Sequence, residues 1–272
     1  MKKLFIMALA LVALAGCKSK SSEPQEVAVS FNVSNLQVTT AAMGPHRASI
    51  KDAAITDLWV MVNGVEKKHQ VSTDNNFGQF TLSLKYGKQT IDFIGGTRDG
   101  QSVSNGVWSC DKVDGTYAES LELDVTPTTA AQTVELRHID YIVDWHSTDK
   151  MPDDIATVVI SIKDWHGSLG NGLVPATTAD KEIELNVTSK RGYLLEVFMG
   201  GFCSVPFGEE YEDVTATFKA LDEKGVVQFE FEKVVPVKSN SKTIISGRMF
   251  GYNEQPTLSV NTNYAEEKQI PL

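Results

Sequence analysis

From residue 27 onward the chain alternates. Val27, Val29, Phe31 and Val33 fall on one side of an extended backbone, and Ala28, Ser30 and Asn32 on the other, because successive side chains of a strand point to opposite faces. The same pattern runs through Phe80, Leu82 and Leu84, then Ile91 and Phe93, then Leu121, Leu123 and Val125. It returns in Ile183, Leu185 and Val187, in Val214, Ala216 and Phe218, and in Val227, Phe229 and Phe231. A strand of this kind packs one face on a core and leaves the other wet. Turn residues punctuate the runs: Asn63-Gly64, Lys85-Tyr86-Gly87, Asp99-Gly100, Asp114-Gly115 and Lys224-Gly225. Many short strands at regular spacing predict an all-β chain built of sandwiches.

A length of 272 residues exceeds what one compact sandwich needs, so two are expected. The seam falls in Asp124 to Gln132 (DVTPTTAAQ), small, Thr-rich and Pro-containing. It divides the chain into an N-terminal sandwich over 27–130 and a C-terminal one over 131–272. Thr133 to Trp145 is long for one strand, and its apolar phase switches from Val134 and Leu136 to Ile139, Tyr141 and Val143. A bent strand with a bulge near Arg137-His138 would open the second sandwich. Met151 to Asp154 reads as a loop before a β-branched central strand, Ile155 to Ile162. Gly95-Gly96 and Gly200-Gly201 read as bulges or turns.

The first residues are an address. Lys2 and Lys3 precede an apolar run from Leu4 to Ala15, then Gly16 and Cys17. A basic start, a short apolar stretch and small residues before a cut describe a signal peptide, here 1–16. The run is too short for a permanent span. Leu14-Ala15-Gly16-Cys17 resembles the bacterial lipobox, which implies acylation (palmitate-type chains) at Cys17 and a polar tether over 17–26. Export to a lipid anchor in the outer membrane follows.

Composition removes several function classes. There are 25 basic and 35 acidic side chains, a net charge of −10, so nucleic acid is not an expected partner. No nucleophile elbow, phosphate loop or dinucleotide fingerprint occurs, and no catalytic residues, metal or cofactor are expected. Asp144-Trp145-His146 recurs as Asp164-Trp165-His166; neighbouring strands could join them as zinc ligands, but a third ligand is missing. Asp149, Asp153 and Asp154 lack calcium-loop spacing. Cys110 and Cys203 fall in different halves, which argues against a disulfide. Trp59, Trp108, Trp145 and Trp165 suit core or interface positions, or platforms for sugar rings.

Four stretches, in order, resemble the fimbrillins of Bacteroidales, the subunits and anchor-type lipoproteins of type V pili. They are the opening VAVSFNVSNLQVTTAAMGPHRASIKDAAITDLWVMV, the strand pair ending in Tyr86-Gly87-Lys88-Gln89-Thr90-Ile91, the run from Leu136-Arg137-His138 through Val143 to Met151-Pro152-Asp153-Asp154-Ile155, and Ser241 to Phe250. The resemblance implies two tandem transthyretin-like sandwiches, a location at the cell surface or in a fimbrium, a role in cell adhesion, and other fimbrial subunits as partners. It also implies assembly by strand complementation, in which a protease cuts after an arginine in the first loop. Arg47, with Ala48 after it, stands in that loop; it is a processing site or a plain surface arginine. Cleavage would make Val27, Val29, Phe31 and Val33 the displaced strand. The donor would be the C-terminal segment carrying Leu258, Val260 and Thr262. Stalk, anchor and accessory roles all fit, and the alternative is a surface lipoprotein that binds glycan or host protein through its loops.

Overall fold

The computed structural model describes residues 25–34, 36–38, 53–97, 100–176, 178–251 and 259–262. The architecture is all-β: twelve strands precede residue 139 and nine follow it, and no α-helix occurs among the described residues. The first set is β1 (Glu26–Ser34), β2 (Gln37–Val38), β3 (Ala53–Ala54), β4 (Asp57–Val62), β5 (Val65–Val71) and β6 (Gln79–Lys85). It continues with β7 (Gly87–Gly96), β8 (Gln101–Ser104), β9 (Val107–Cys110), β10 (Thr116–Val125), β11 (Gln132–Glu135) and β12 (Arg137–His138). The second set is β13 (Asp140–Ser147), β14 (Ile155–Trp165), β15 (Ser168–Leu169), β16 (Ala179–Asn186) and β17 (Glu196–Phe202). It ends with β18 (Glu212–Asp222), β19 (Val227–Val237), β20 (Ser241–Gly247) and β21 (Ser259–Thr262).

Each half is a pair of sheets closed on its own apolar cluster. The first half packs β11-β1-β6 on β12-β10-β7-β4-β5, and the second packs β17-β13-β20-β21 on β16-β14-β18-β19. Val29, Phe31, Leu58, Val60, Leu82 and Phe93 fill the first core; Val143, Trp145, Val158, Ile160, Phe218 and Ile245 are among those filling the second. The pairing scheme is duplicated. β1 joins β11 in parallel and β6 antiparallel, as β13 joins β20 and β17. Likewise β4 lies between β5 and β7 as β14 lies between β16 and β18.

The turn chemistry is local and works as expected at Asn63-Gly64, where φ is 51° and 72°. That left-handed pair suits a two-residue hairpin, and glycine carries no Cβ penalty there. The crossover between halves does not lie in the Asp124 to Gln132 stretch. β11 pairs with β1 and β12 with β10, so both belong to the first half's sheets. The expected bent strand over 133–145 is instead three strands in three sheets, broken at Leu136 and Ile139. Each break is an apolar residue sunk in a core, Leu136 in the first and Ile139 between the halves.

A third cluster joins the halves. Trp59, Met61, Ile94 and Trp108 from the first meet Leu169 and Phe202 from the second. The contact is reciprocal: β15 of the second half pairs with β9 of the first, while Val113 of the first lies on β17. Gly200 explains that approach, since a Cβ there would stand 1.7 Å from the Val113 carbonyl oxygen. Gly95 and Gly200 therefore sit inside strands β7 and β17, in place of the bulges or turns read from sequence. Close neighbours, Ile55 for Gly95 and the Val113 backbone for Gly200, exclude a side chain.

Candidate functional site

β1 occupies a slot. It is the middle strand of β11-β1-β6, with Phe31 opposite Phe80 on β6 and Val33 opposite Val134 on β11. Val29, Phe31 and Val33 are 1%, 2% and 4% exposed, whereas Val27 is half-buried. Phe31 packs tilted on Phe93 with centroids 5.3 Å apart. The opposite face, Ala28, Ser30 and Asn32, is wet. Burial of each large apolar side chain contributes roughly 1.5–3 kcal/mol. Side-chain bonds trim the edges: Ser83 Oγ donates to Glu26 Oε2 at 2.6 Å and Ser34 Oγ to the Val134 carbonyl at 3.2 Å.

Withdrawing β1 would leave β6 and β11 facing each other across two ladder spacings, roughly 9–10 Å. The floor of that gap would be Phe80, Leu82, Phe93 and Val134. Both flanks would present unpaired backbone groups, which an extended segment with alternate apolar residues satisfies. The gap would offer backbone groups and apolar pockets to an added strand.

Several expected site residues lie outside the described residues: Cys17, Arg47, Ala48 and Leu258. Val260 and Thr262 fall in β21, which pairs antiparallel with β20, Ile245 opposite Val260 and Thr243 opposite Thr262. The candidate donor is thus seated on its own second half.

The repeated Asp-Trp-His motifs do not converge. On β13, burial opposes ionisation of Asp144, but His146 at 3.1 Å and Lys242 Nζ at 2.7 Å outweigh it and hold the carboxyl below its usual range. Trp145 between them is buried in the core. In the second motif Trp165 Nε1 donates to the Gly200 carbonyl at 2.7 Å, and His166 Nδ1 lies 3.2 Å from Thr178 Oγ1. Among the described residues no three His, Cys, Asp or Glu side chains gather as a metal site. Asp149 accepts the backbone N–H groups of Met249 and Phe250, both at 2.8 Å. Cys110 and Cys203 are unbridged, and burial pushes each thiol up to about 12. Trp108 is fully buried, and Trp59 is stacked under His69 at 3.6 Å, so neither offers a bare face to a sugar.

Three polar positions were not picked out from sequence. Gln70 is buried; its Nε2 donates to the carbonyls of Asn76 and Gln79 and its Oε1 accepts the Gly78 N–H. Asp92 accepts Ser120 Oγ at 2.6 Å and, across the junction, the Gly172 N–H at 2.9 Å; burial raises its pKa. Asp140, fully buried, accepts the Thr116 N–H at 2.6 Å and lies 2.9 Å from His138 Nε2. A signal existed for the two carboxylates: each interrupts an apolar run (IDFI, IDYIVDW), where a charge needs a built set of donors.

No family model matches the chain, and no curated protein matches it. Solved structures do. A candidate adhesin from Bacteroides ovatus superposes with a TM-score of 0.50 at 10% identity, covering 77% of this chain and 83% of that one. The fimbrial anchor protein Mfa2 from Porphyromonas gingivalis gives 0.45 at 15% identity, over 88% and 98%. The tip fimbrial protein Mfa3 from the same organism gives 0.42 at 10%, over 87% and 99%. The first of these likenesses is one of fold.

Proposed function

We propose that the chain is a structural subunit of a cell-surface fimbria (stalk, anchor or accessory), exported as a lipoprotein through Cys17 and assembled by β-strand complementation. The observation that carries this reading is the seat of β1: an apolar strand held in mid-sheet, with every strand it pairs with lying later in the chain. A single cut in 39–52, where Arg47 stands, separates β1 from β6 and β11 covalently. The slot so opened suits a strand from a neighbouring subunit. The adhesin-like fold of the Bacteroides ovatus protein supports a surface role, and no step of the scheme needs a catalytic group.

The test is direct. Treating the precursor with an arginine-specific protease should yield a fragment beginning at Ala48, and that fragment should then take up a synthetic copy of residues 26–34 as a replacement strand. Incorporation into filaments of a chain carrying Arg47→Ala, uncut at that bond, would remove the stalk version and leave the anchor or accessory one. A cut chain that neither binds the peptide nor joins a neighbour would sink strand complementation.

A further inference from the structure

The duplicated halves differ at one equivalent place: the open side of each sandwich, where an outer strand of one sheet faces an outer strand of the other. In the first half this is the β5–β6 side, and in the second the β16–β17 side. Gln70 closes the first. It is 8% exposed and spends its amide on three backbone groups of the β5–β6 connection. The cleft outside it, about 890 Å³, is lined by polar side chains such as Lys68, His69, Asp74 and Gln132.

Among the described residues no buried polar side chain of β16 plays that part. The inward residues of β16 are Ile183 and Leu185, both only half-buried against the core. With Val197, Met199, Trp165 and the first half's Val113 they line a cavity of about 240 Å³. Among the described residues β16 pairs with β14 alone, as the outer strand of its sheet. Its opposite face is acidic and exposed: Asp180, Glu182 and Glu184. Lys112 and Lys181 stand at the cavity itself, Lys181 Nζ lying 5.2 Å from the Trp165 ring.

We propose that the outer edge of β16 docks an extended segment of a second protein, one with apolar side chains on one face and basic side chains on the other. Three features select that chemistry. A strand added beside β16 meets a backbone edge that no other described strand shares, which supplies the ladder. Its inward side chains enter the cavity beside Ile183 and Leu185. Its outward side chains fall opposite Glu182 and Glu184, where cross-strand pairs of opposite charge are favourable and like charges are not. A second copy of this chain fits worse, since β16 against β16 would set acidic faces together on a chain of net charge −10. The edge is separate from the slot of β1 and does not depend on strand exchange there.

The experiment uses the full chain and synthetic peptides of one strand length (about six residues), alternating valine with lysine or valine with glutamate. The valine–lysine peptide should bind saturably by titration calorimetry, about ten-fold tighter than the valine–glutamate one. It should slow amide exchange across 179–186 and leave 26–34 and 65–71 unchanged. The double charge reversal Glu182→Lys with Glu184→Lys should invert the preference. Both positions are exposed, so the variant should keep the parent's melting midpoint. Equal binding of the two peptides, protection of 26–34 or 65–71 instead, or a preference untouched by the reversal would overturn the proposal. So would sedimentation showing the chain pairing with itself through this edge.

Discussion

β1 and β13 hold the same place in their halves, each between a parallel and an antiparallel neighbour. Both turn large apolar residues inward, Phe31 from one and Trp145 from the other. They differ in how the chain holds them. β13 follows directly on β12, which is hydrogen-bonded to β10 of the first half, so one cut on either side leaves it tied to a folded body. The partners of both strands lie later in the chain, but no described strand precedes β1, so one cut after it leaves it joined to no folded body. Whether a buried strand can be exchanged is therefore set by connectivity as well as by packing.

The largest expected effect tests that pairing of strands. Phe31→Ala and Trp145→Ala should each cost about 3–5 kcal/mol in denaturant unfolding, as large-to-small core changes do. Their consequences should separate under hydrogen exchange. Phe31→Ala should expose the amides of β1 and its neighbours while β13 to β20 stay protected, and Trp145→Ala should do the reverse. Equal loss in both halves would mean that the third cluster fuses them into one cooperative unit, in which β1 has no release of its own.

A smaller effect sharpens the contrast between the two open sides. Gln70→Leu keeps the volume but strands the Gly78 N–H and two carbonyls, which should lower stability by about 1–3 kcal/mol. Limited proteolysis should then cut in the β5–β6 connection. Unchanged stability would show that Gln70 is not what closes the first half.

The smallest effect concerns the crossover. Burial works against a charge on His138, but Asp140 at 2.9 Å, Asn240 Oδ1 at 2.8 Å from Nδ1 and the nearby Asp114 outweigh it and raise its pKa above the usual 6.5. Tyr117 packs on the ring, 4.8 Å between centroids. A raised pKa means that the charged form stabilises the fold fully below the unfolded value and that this contribution fades as pH climbs through the folded value. Wild type should thus lose a few degrees of melting midpoint relative to His138→Gln as pH climbs from below about 6.5 through the raised folded value. Parallel curves for the two would break the link between proton and junction.

The strands were legible because alternation is a local property. Val27 to Val33, Phe80 to Leu84 and the β-branched Ile155 to Ile162 stand where their periodicity puts them, the last in mid-sheet. Their partners were not legible, because pairing is set by residues far away in the chain. The seam misled for a physical reason: PTT marks a turn, closed by the Thr129 N–H on the Thr126 carbonyl, whereas the passage between halves runs through strand-like sequence with neither Gly nor Pro. Gly200 reads as a turn residue until the other half's backbone is seen against it. Gln70 on an outer strand reads as solvent-facing until the loop that it bonds is folded over it. The slot of β1 was half visible: its occupant could be read, its walls could not.

The parallel ladder between β1 and β11 has a temporal side. Ser34 Oγ reaches the Val134 carbonyl across 100 positions of sequence. The antiparallel ladder to β6 closes a shorter loop and can form first. Lengthening a loop adds little to its equilibrium cost, since that grows only as the logarithm of length, but non-local pairing slows folding. A chain emerging from its amino end must therefore carry Val29, Phe31 and Val33 with one flank uncovered until β11 arrives. In the first half, the interval before that arrival is when an early-made strand is open to competition, and a chaperone or a foreign strand acts on it most cheaply then.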